Sequence, residues 1–292
     1  MSVNTYENSP LVYIIILNWN NYEDSYRCIE SVQKVNYANY KIVLVDNAST
    51  DSSCHKLKLD FPEVLIIENE INLGYSGGNN KGIELALVEK AQFIWVLNND
   101  TTVSKNTLKE LLSTMKKDKD SGIAGCKILN TEPLNEVQVY GGGRVNYFLG
   151  TQKSLTKKSL GLNYISGTSL FMKSEVVGKV GKLDEDFFMY WEDVEFSHRV
   201  KANNYNLTVA SSAIIYHKNQ GTFGQGNNIF FEYLYAKGAI LFFRKQVAWW
   251  PISITILITG KIIKKVFTGQ WKVLPDILRG IGEGLNQRIS SY

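Results

Sequence analysis

The sequence predicts an α/β protein, a mostly parallel sheet flanked by helices, followed by a helical C-terminal extension. Apolar runs at Leu11 to Leu17, Ile42 to Val45, Val64 to Ile67 and Phe93 to Leu97 are short and rich in β-branched residues, the pattern of strands buried on both faces. Helix-length polar segments separate these runs, giving the alternating rhythm of a parallel sheet with helices on either side. From Ile229 onward, helical patterns dominate. A chain of 292 residues can fill one large domain or one domain with an appendage, and the reading divides it into 1–228 and 229–292.

The first helices are expected over Asn21 to Val35, Asp51 to Leu59 and Gly78 to Lys90, with Ser49, Thr50 and Asp51 as plausible caps. Ser104 can cap a further helix running through Lys116. Beyond Gly122 the rhythm changes to a mixed one: Gly141-Gly142-Gly143 breaks the pattern, Tyr164 to Lys173 reads as a strand, and Glu192 to Asn203 reads as a helix.

Hydrophobic content of 44% and charged content of 21% describe a globular chain, excluding disordered and fibrous classes. Cys28, Cys54 and Cys126 are odd in number and lack a C-x-x-C pair, so neither a disulfide framework nor a zinc knuckle is expected, and a reducing cytoplasm fits. No basic region precedes an apolar stretch at the amino end, which speaks against a signal peptide. Net charge is uneven: from Ile229 to the end there are nine Lys or Arg against three acids. The basic excess thus lies in an apolar tail and not on an interleaved polar face, so no nucleic-acid partner is expected.

Polar residues of one kind collect where the strands end. They are Asn18-Trp19-Asn20-Asn21, Asp46-Asn47-Ala48-Ser49, Asn98-Asn99-Asp100 and the segment Asn72 to Asn80. Parallel strands bring such ends to one edge, where open α/β sheets bind ligands. Donors and acceptors with few charges suit the base and ribose of a nucleotide, and a hard carboxylate oxygen such as that of Asp100 suits a divalent cation beside its phosphates. An ordinary strand-to-helix turn accounts equally well for the Asn98-Asn99-Asp100 triplet alone. Gly77-Gly78 before a helix would let backbone approach a ligand, although this is not a G-x-G-x-x-G fingerprint and a nicotinamide cofactor is not indicated. Farther on, Phe187 to Phe196 places Glu192, Asp193 and Glu195 within an aromatic surround that could wall a sugar pocket.

Taken together, these segments resemble the nucleotide-sugar-dependent family 2 glycosyltransferases of the GT-A (Rossmann-like) fold, especially their rhamnosyltransferase-like and galactofuranosyltransferase-like members. The resemblance runs from about Val12 to His217. It rests on Leu17-Asn18-Trp19-Asn20, the V-D-N-x-S-x-D segment Val45 to Asp51, the N-x-G-[FY]-x-x-G-N-N-x-G segment Asn72 to Gly82, the D-x-D-like Asn98-Asn99-Asp100, and the late pair Glu192-Asp193. It implies that Asp46 hydrogen-bonds a pyrimidine base and that Leu17, Asn18, Asn20, Asn47, Gly77, Gly78, Asn79, Asn98 and Asn99 line the donor pocket. Asp100 would bind a divalent metal, Mn²⁺ or Mg²⁺, with His217 as a second ligand. Asp193 would be the general base of an inverting single displacement, and Glu192 and Trp191 would shape the acceptor pocket. The sequence departs from the family pattern at Asn98, an amide where D-x-D has its first carboxylate, and at Lys237-Gly238, near where similar enzymes carry Arg-Asn.

The implied activity is sugar transfer from dTDP-rhamnose or a UDP-sugar to a saccharide or lipid-linked saccharide in cell-surface polysaccharide synthesis. A sugar nucleotidyltransferase would show a Gly-rich basic loop directly after the first strand, which Asn18 to Asn21 does not. A nucleotide-sugar-binding scaffold without turnover is the other alternative, distinguished by donor hydrolysis with added metal. In the tail, the uncharged stretch Gln246 to Gly260 carries Trp249-Trp250 and precedes Lys261, Lys264 and Lys265. It is too short to span a bilayer and suits either an anionic membrane surface or packing within the protein or a homo-oligomer. The expected location is the cytoplasm, peripheral at the inner face of the cell membrane if the first of these holds.

Overall fold

The computed structural model describes residues 9–159, 161–218 and 229–289. The chain runs β1 (Val12–Asn18), α1 (Tyr22–Gln33), β2 (Tyr40–Asp46), α2 (Ser53–Asp60), β3 (Leu65–Glu68), α3 (Gly74–Val88), β4 (Phe93–Asn98), β5 (Thr101–Val103), α4 (Thr107–Lys117), β6 (Ser121–Asn130), β7 (Val137–Tyr140), β8 (Gly142–Asn146), β9 (Thr151–Ser154), β10 (Tyr164–Ile165), β11 (Ser169–Lys173), α5 (Ser174–Val180), α6 (Glu192–Ala202) and β12 (Asn206–His217). Three helices follow, α7 (Ile229–Gln246), α8 (Trp250–Phe267) and α9 (Leu274–Asn286).

The main sheet has the order β3-β2-β1-β4-β11-β6-β12-β5, with β7 paired to β6. Its first four strands are parallel, β11 is antiparallel to both neighbours, and β12 is parallel to β6. Alternation along each central strand fills two cores. Val12, Ile14 and Ile16 face one, with Trp95 and Leu97, while Tyr13 and Ile15 face the other, with Val43 and Val96. Both faces are therefore covered, which is why these strands read as unbroken apolar runs.

A third core joins Phe187, Trp191 and Val194 to Ala239, Ile240, Phe242 and Phe243 of α7 and Ile277 of α9. Residues 229–289 thus share apolar packing with the segment that opens α6. Lys245 of α7 reinforces the join, reaching Asp184 and Asp186 at 2.6 Å each. Among the described residues, no helix is long and apolar enough to cross a membrane.

Three expected boundaries shift. The helix expected from Gly78 starts at Gly74, whose φ of +70° and close approach to the Phe188 carbonyl leave no room for a side chain. Gly78 consequently lies inside α3, where a Cβ would come within 2.5 Å of Leu17; it packs helix against strand. The helix through Lys116 starts at Thr107, and Ser104 contributes its backbone carbonyl to the Thr107 N–H instead of a side-chain cap. The strand expected over Tyr164 to Lys173 breaks into β10 and β11, freeing Ser166-Gly167-Thr168 to face the site described next.

Candidate active site

A cavity of about 610 Å³ opens at the carboxyl ends of β1, β2 and β4. Register explains the gathering: Asn18 pairs with Asp46, and Leu17 with Asn98, so three strand ends finish level. The far wall comes from the other half of the sheet. β5 doubles back antiparallel to the end of β12, pairing His217 with Thr101, and so brings Asp100 against a histidine that lies 117 positions later in the chain. Asp100 Oδ1 and His217 Nε2 are 3.2 Å apart, both side chains largely buried. His217 Nδ1 lies 2.8 Å from Gln138 Oε1, and an Nδ1–H donated there leaves the neutral ring's Nε2 lone pair facing the carboxylate. Asp100 Oδ1 has no hydrogen-bond partner. A buried carboxylate oxygen and an imidazole nitrogen that face each other in this way fit a divalent cation.

Two protein donors are fewer than a closed metal cage needs, and among the described residues no cluster of three or more His, Cys, Asp or Glu could hold an ion. The arrangement therefore fits a cation that takes its remaining ligands from water and a bound phosphate.

Asp193 faces the same cavity. It sits in the first turn of α6, and both carboxylate oxygens accept a backbone N–H, Oδ2 from Gly167 and Oδ1 from Val194, at 2.9 and 2.8 Å. Gly167 is held in turn by Tyr75, whose hydroxyl donates to its carbonyl at 2.5 Å. Burial pushes the Asp193 carboxyl up to about 6, the two backbone donors opposing the rise. Glu192 is pushed well above the ordinary range by burial and by the neighbouring Asp193, and its Oε2 is buried without a partner.

Of the expected donor residues, Leu17, Asn47, Asn79, Asn98 and Asn99 line this cavity, whereas Asn18, Asn20, Asp46, Gly77 and Gly78 do not. Asn18 is wholly buried behind the wall. It donates to Asp46, Ser49 and Ser53 and accepts from Ser25. The Asp46 carboxylate takes donors from Asn18 and from both the backbone and hydroxyl of Ser49. Asn20, at φ 51°, spends its side-chain oxygen on the N–H groups of Thr50 and Asp51. These residues form a polar strut joining the first two strand ends. Asn47 is a clamp, reaching Asn72 and Gly74 with its amide and accepting from Asn69 and Leu73.

Trp191 does not line the cavity. Consecutive left-handed residues, Tyr190 at φ 69° and Trp191 at 72°, turn its indole into the third core, where it is fully buried with ring centroids 5.3 and 5.8 Å from Phe242 and Phe243. Phe188, Met189 and Tyr190 line the cavity instead, joined by Phe230 and Phe231 of α7. Trp19, Tyr75 and Ser166 to Thr168 complete the lining and were not foreseen. Trp19 and Tyr75 carry a sequence signal, through their places in the Leu17 to Asn20 and Asn72 to Gly82 segments, and Ser166 to Thr168 carries none. His55 and His198 lie outside the cavity lining, as do Lys81, Arg144 and Lys173.

A curved mixed sheet with a cavity at its carboxyl edge, walled in part by a helical C-terminal region, is the GT-A type of glycosyltransferase fold. The chain belongs to Glycosyl transferase family 2, whose profile matches residues 13–180. It is 31% identical over 200 residues to the low-salt glycan biosynthesis hexosyltransferase Agl10 of Haloferax volcanii, a match covering 66% of this chain and 62% of that protein. It is 25% identical over 207 residues to the N-acetylglucosaminyl-diphospho-decaprenol L-rhamnosyltransferase of Mycobacterium tuberculosis, covering 62% of this chain and 67% of the relative. Among solved structures, GalNAc-T7 with UDP, GalNAc and Mn²⁺ superposes with a TM-score of 0.68 at 16% identity, over 96% of this chain and 57% of that one.

Proposed function

We propose that the protein is an inverting glycosyltransferase. Its donor would be a nucleotide diphosphate sugar, dTDP-rhamnose or a UDP-sugar, and its acceptor a hydroxyl of a saccharide or lipid-linked saccharide in cell-surface polysaccharide synthesis. The observation that carries the reading is that Asp193 and the Asp100–His217 pair, far apart in sequence, face one cavity. Names of the two curated relatives, a hexosyltransferase and a rhamnosyltransferase, agree with the donor class.

In a single displacement the acceptor oxygen bonds to the anomeric carbon as the bond from that carbon to the diphosphate breaks. A hydroxyl is a poor nucleophile until its proton begins to leave. Asp193 accepts that proton: its two backbone donors fix the carboxylate's direction and leave each oxygen a free lone pair, and its raised pKa makes it a better base while it remains ionised at neutral pH. Asp100 Oδ1 and His217 Nε2 would hold a Mn²⁺ or Mg²⁺ ion, which supplies charge stabilisation for the departing diphosphate. Asn79, Asn98 and Asn99 offer donors and acceptors to the nucleotide, and Glu192 with Tyr190 and Phe231 borders the acceptor side. A cytoplasmic position at the inner face of the membrane belongs to the same reading.

The test is transfer from a panel of nucleotide sugars to saccharide and lipid-linked acceptors, with anomeric configuration read by NMR. Product of inverted configuration from the wild type, lost in Asp193→Asn, supports the reading. Product of retained configuration, or an unimpaired Asp193→Asn, overturns it.

A further inference from the structure

Helix α8 is apolar on two sides: Ile254 is buried in the third core with Trp250, Leu257 and Ile258 packed against it. Polar ties hold the same protein-facing side: Lys261 and Lys265 reach back to the largely buried Glu232 of α7 at 2.7 and 2.6 Å, and Ser253 donates to the Tyr147 carbonyl. The opposite side carries Ile252, Ile256, Thr259, Ile263, Val266 and Phe267, whose spacing of three and four residues makes one continuous stripe. Ile252, Ile263 and Val266 are half exposed or more, and Phe267 is 86% exposed. A helix that only packed against its own protein needs one apolar side, and α8 carries this second one facing outward.

Further exposed aromatic and apolar residues flank α8. Trp249 and Trp271 stand at the two ends of α8, each more than half exposed. The β8–β9 turn presents Phe148 and Leu149, also exposed, and it is seated on the first turns of α8 through Gly150, which meets Ser253 and Leu257. Charge identifies what covers the face. From Gln246 to Pro275 the sequence contains four lysines and no Asp or Glu, and Lys264 and Lys272 are exposed beside the stripe.

We propose that this face, the outward stripe of α8 with Trp249, Trp271 and the Phe148-Leu149 turn, docks the protein on an anionic phospholipid bilayer. Eighteen residues of helix reach about 27 Å, lying in the interfacial plane with apolar side chains inserted and lysines at the headgroups. The paired tryptophans suit that depth. Because α7 carries Phe230 and Phe231 on the cavity wall and Glu232 on the ties to α8, docking would bring the cavity close to the bilayer and favour an acceptor presented there. That consequence rests on the transferase reading, whereas the docking does not.

The test is co-sedimentation of the full chain, without nucleotide or acceptor, with phosphatidylcholine vesicles containing phosphatidylglycerol and with phosphatidylcholine vesicles alone. The wild type should pellet with the anionic vesicles and lose that binding in high salt. Ile263→Asp/Phe267→Asp should abolish it, and Lys264→Glu/Lys272→Glu should weaken it roughly tenfold or more. All four substitutions sit at exposed positions and should leave the thermal melt unchanged. Wild type that stays in the supernatant, or an Ile263→Asp/Phe267→Asp variant that pellets normally, overturns the proposal. So does a stripe that supports a dimer, lost in the variant, without vesicle binding. Loss of sugar transfer in solution would leave these sedimentation outcomes untouched, so the two readings fail separately.

Discussion

Asp100 Oδ1 lies 3.2 Å from His217 Nε2, while the other imidazole nitrogen is engaged by Gln138. With neutral imidazole, that contact sets one lone pair against another, and a cation between or beside the two relieves it. Because the described residues supply only this pair, metal and nucleotide should bind together: calorimetry should find weak Mn²⁺ binding alone and UDP affinity raised at least tenfold by Mn²⁺. Asp100→Ala should remove the metal-dependent part. Equal UDP affinity with and without metal in the wild type would sink the assignment.

Asp193→Asn keeps the acceptor for the Gly167 N–H and removes the base. Transfer should drop about a hundredfold or more while donor affinity stays within about twofold, a split read by comparing steady-state rates with UDP titration. In the wild type the rate should rise as pH passes through about 6 and level off above it, since only the ionised carboxylate accepts a proton.

The same carboxyl should cost stability. Its folded value lies above its ordinary one, so the advantage of its neutral form is present below the unfolded value near 4 and lost as pH rises through about 6. Asp193→Asn and Glu192→Gln should therefore raise the melting temperature at pH 7.5, by roughly 2–4 °C, and change it little at pH 4. Calorimetric scans at the two values decide this; a variant less stable at pH 7.5 would contradict it.

Trp191 is core, with its Nε1 buried and unpartnered. Trp191→Ala should cost about 3–5 kcal/mol. Trp191→Phe should cost far less, since it keeps an aromatic ring and removes the unpaired donor. Urea denaturation measures both. A Trp191→Ala protein of normal stability with a raised acceptor KM would instead return this residue to the acceptor pocket.

Much of the site was legible where the chain itself carries the information. Strand ends were readable because β1, β2 and β4 are parallel and apolar, so the residues following them had to emerge at one edge. For Asp46, Asn18 and Asn20, composition tells that a residue is polar but not that its side chain bonds to neighbouring loop groups, as it does in the structure. For Asp46 those partners are Asn18 and Ser49, through three hydrogen bonds. The aromatic run before Glu192 announced a wall, yet two left-handed residues decided that Tyr190 and not Trp191 faces the cavity.

Periodicity and order of motifs, both local properties, determined the alternating α/β architecture, the family and the identity of Asp100, Asp193 and His217 as candidates. Tertiary structure alone decided that these three share a cavity, that α7 completes its wall and that α8 turns its apolar stripe outward. Those outcomes depend on strand pairings such as His217 with Thr101 and on packing between segments over a hundred residues apart. Such relations arise from the summed burial of the whole chain, and no window of sequence contains them.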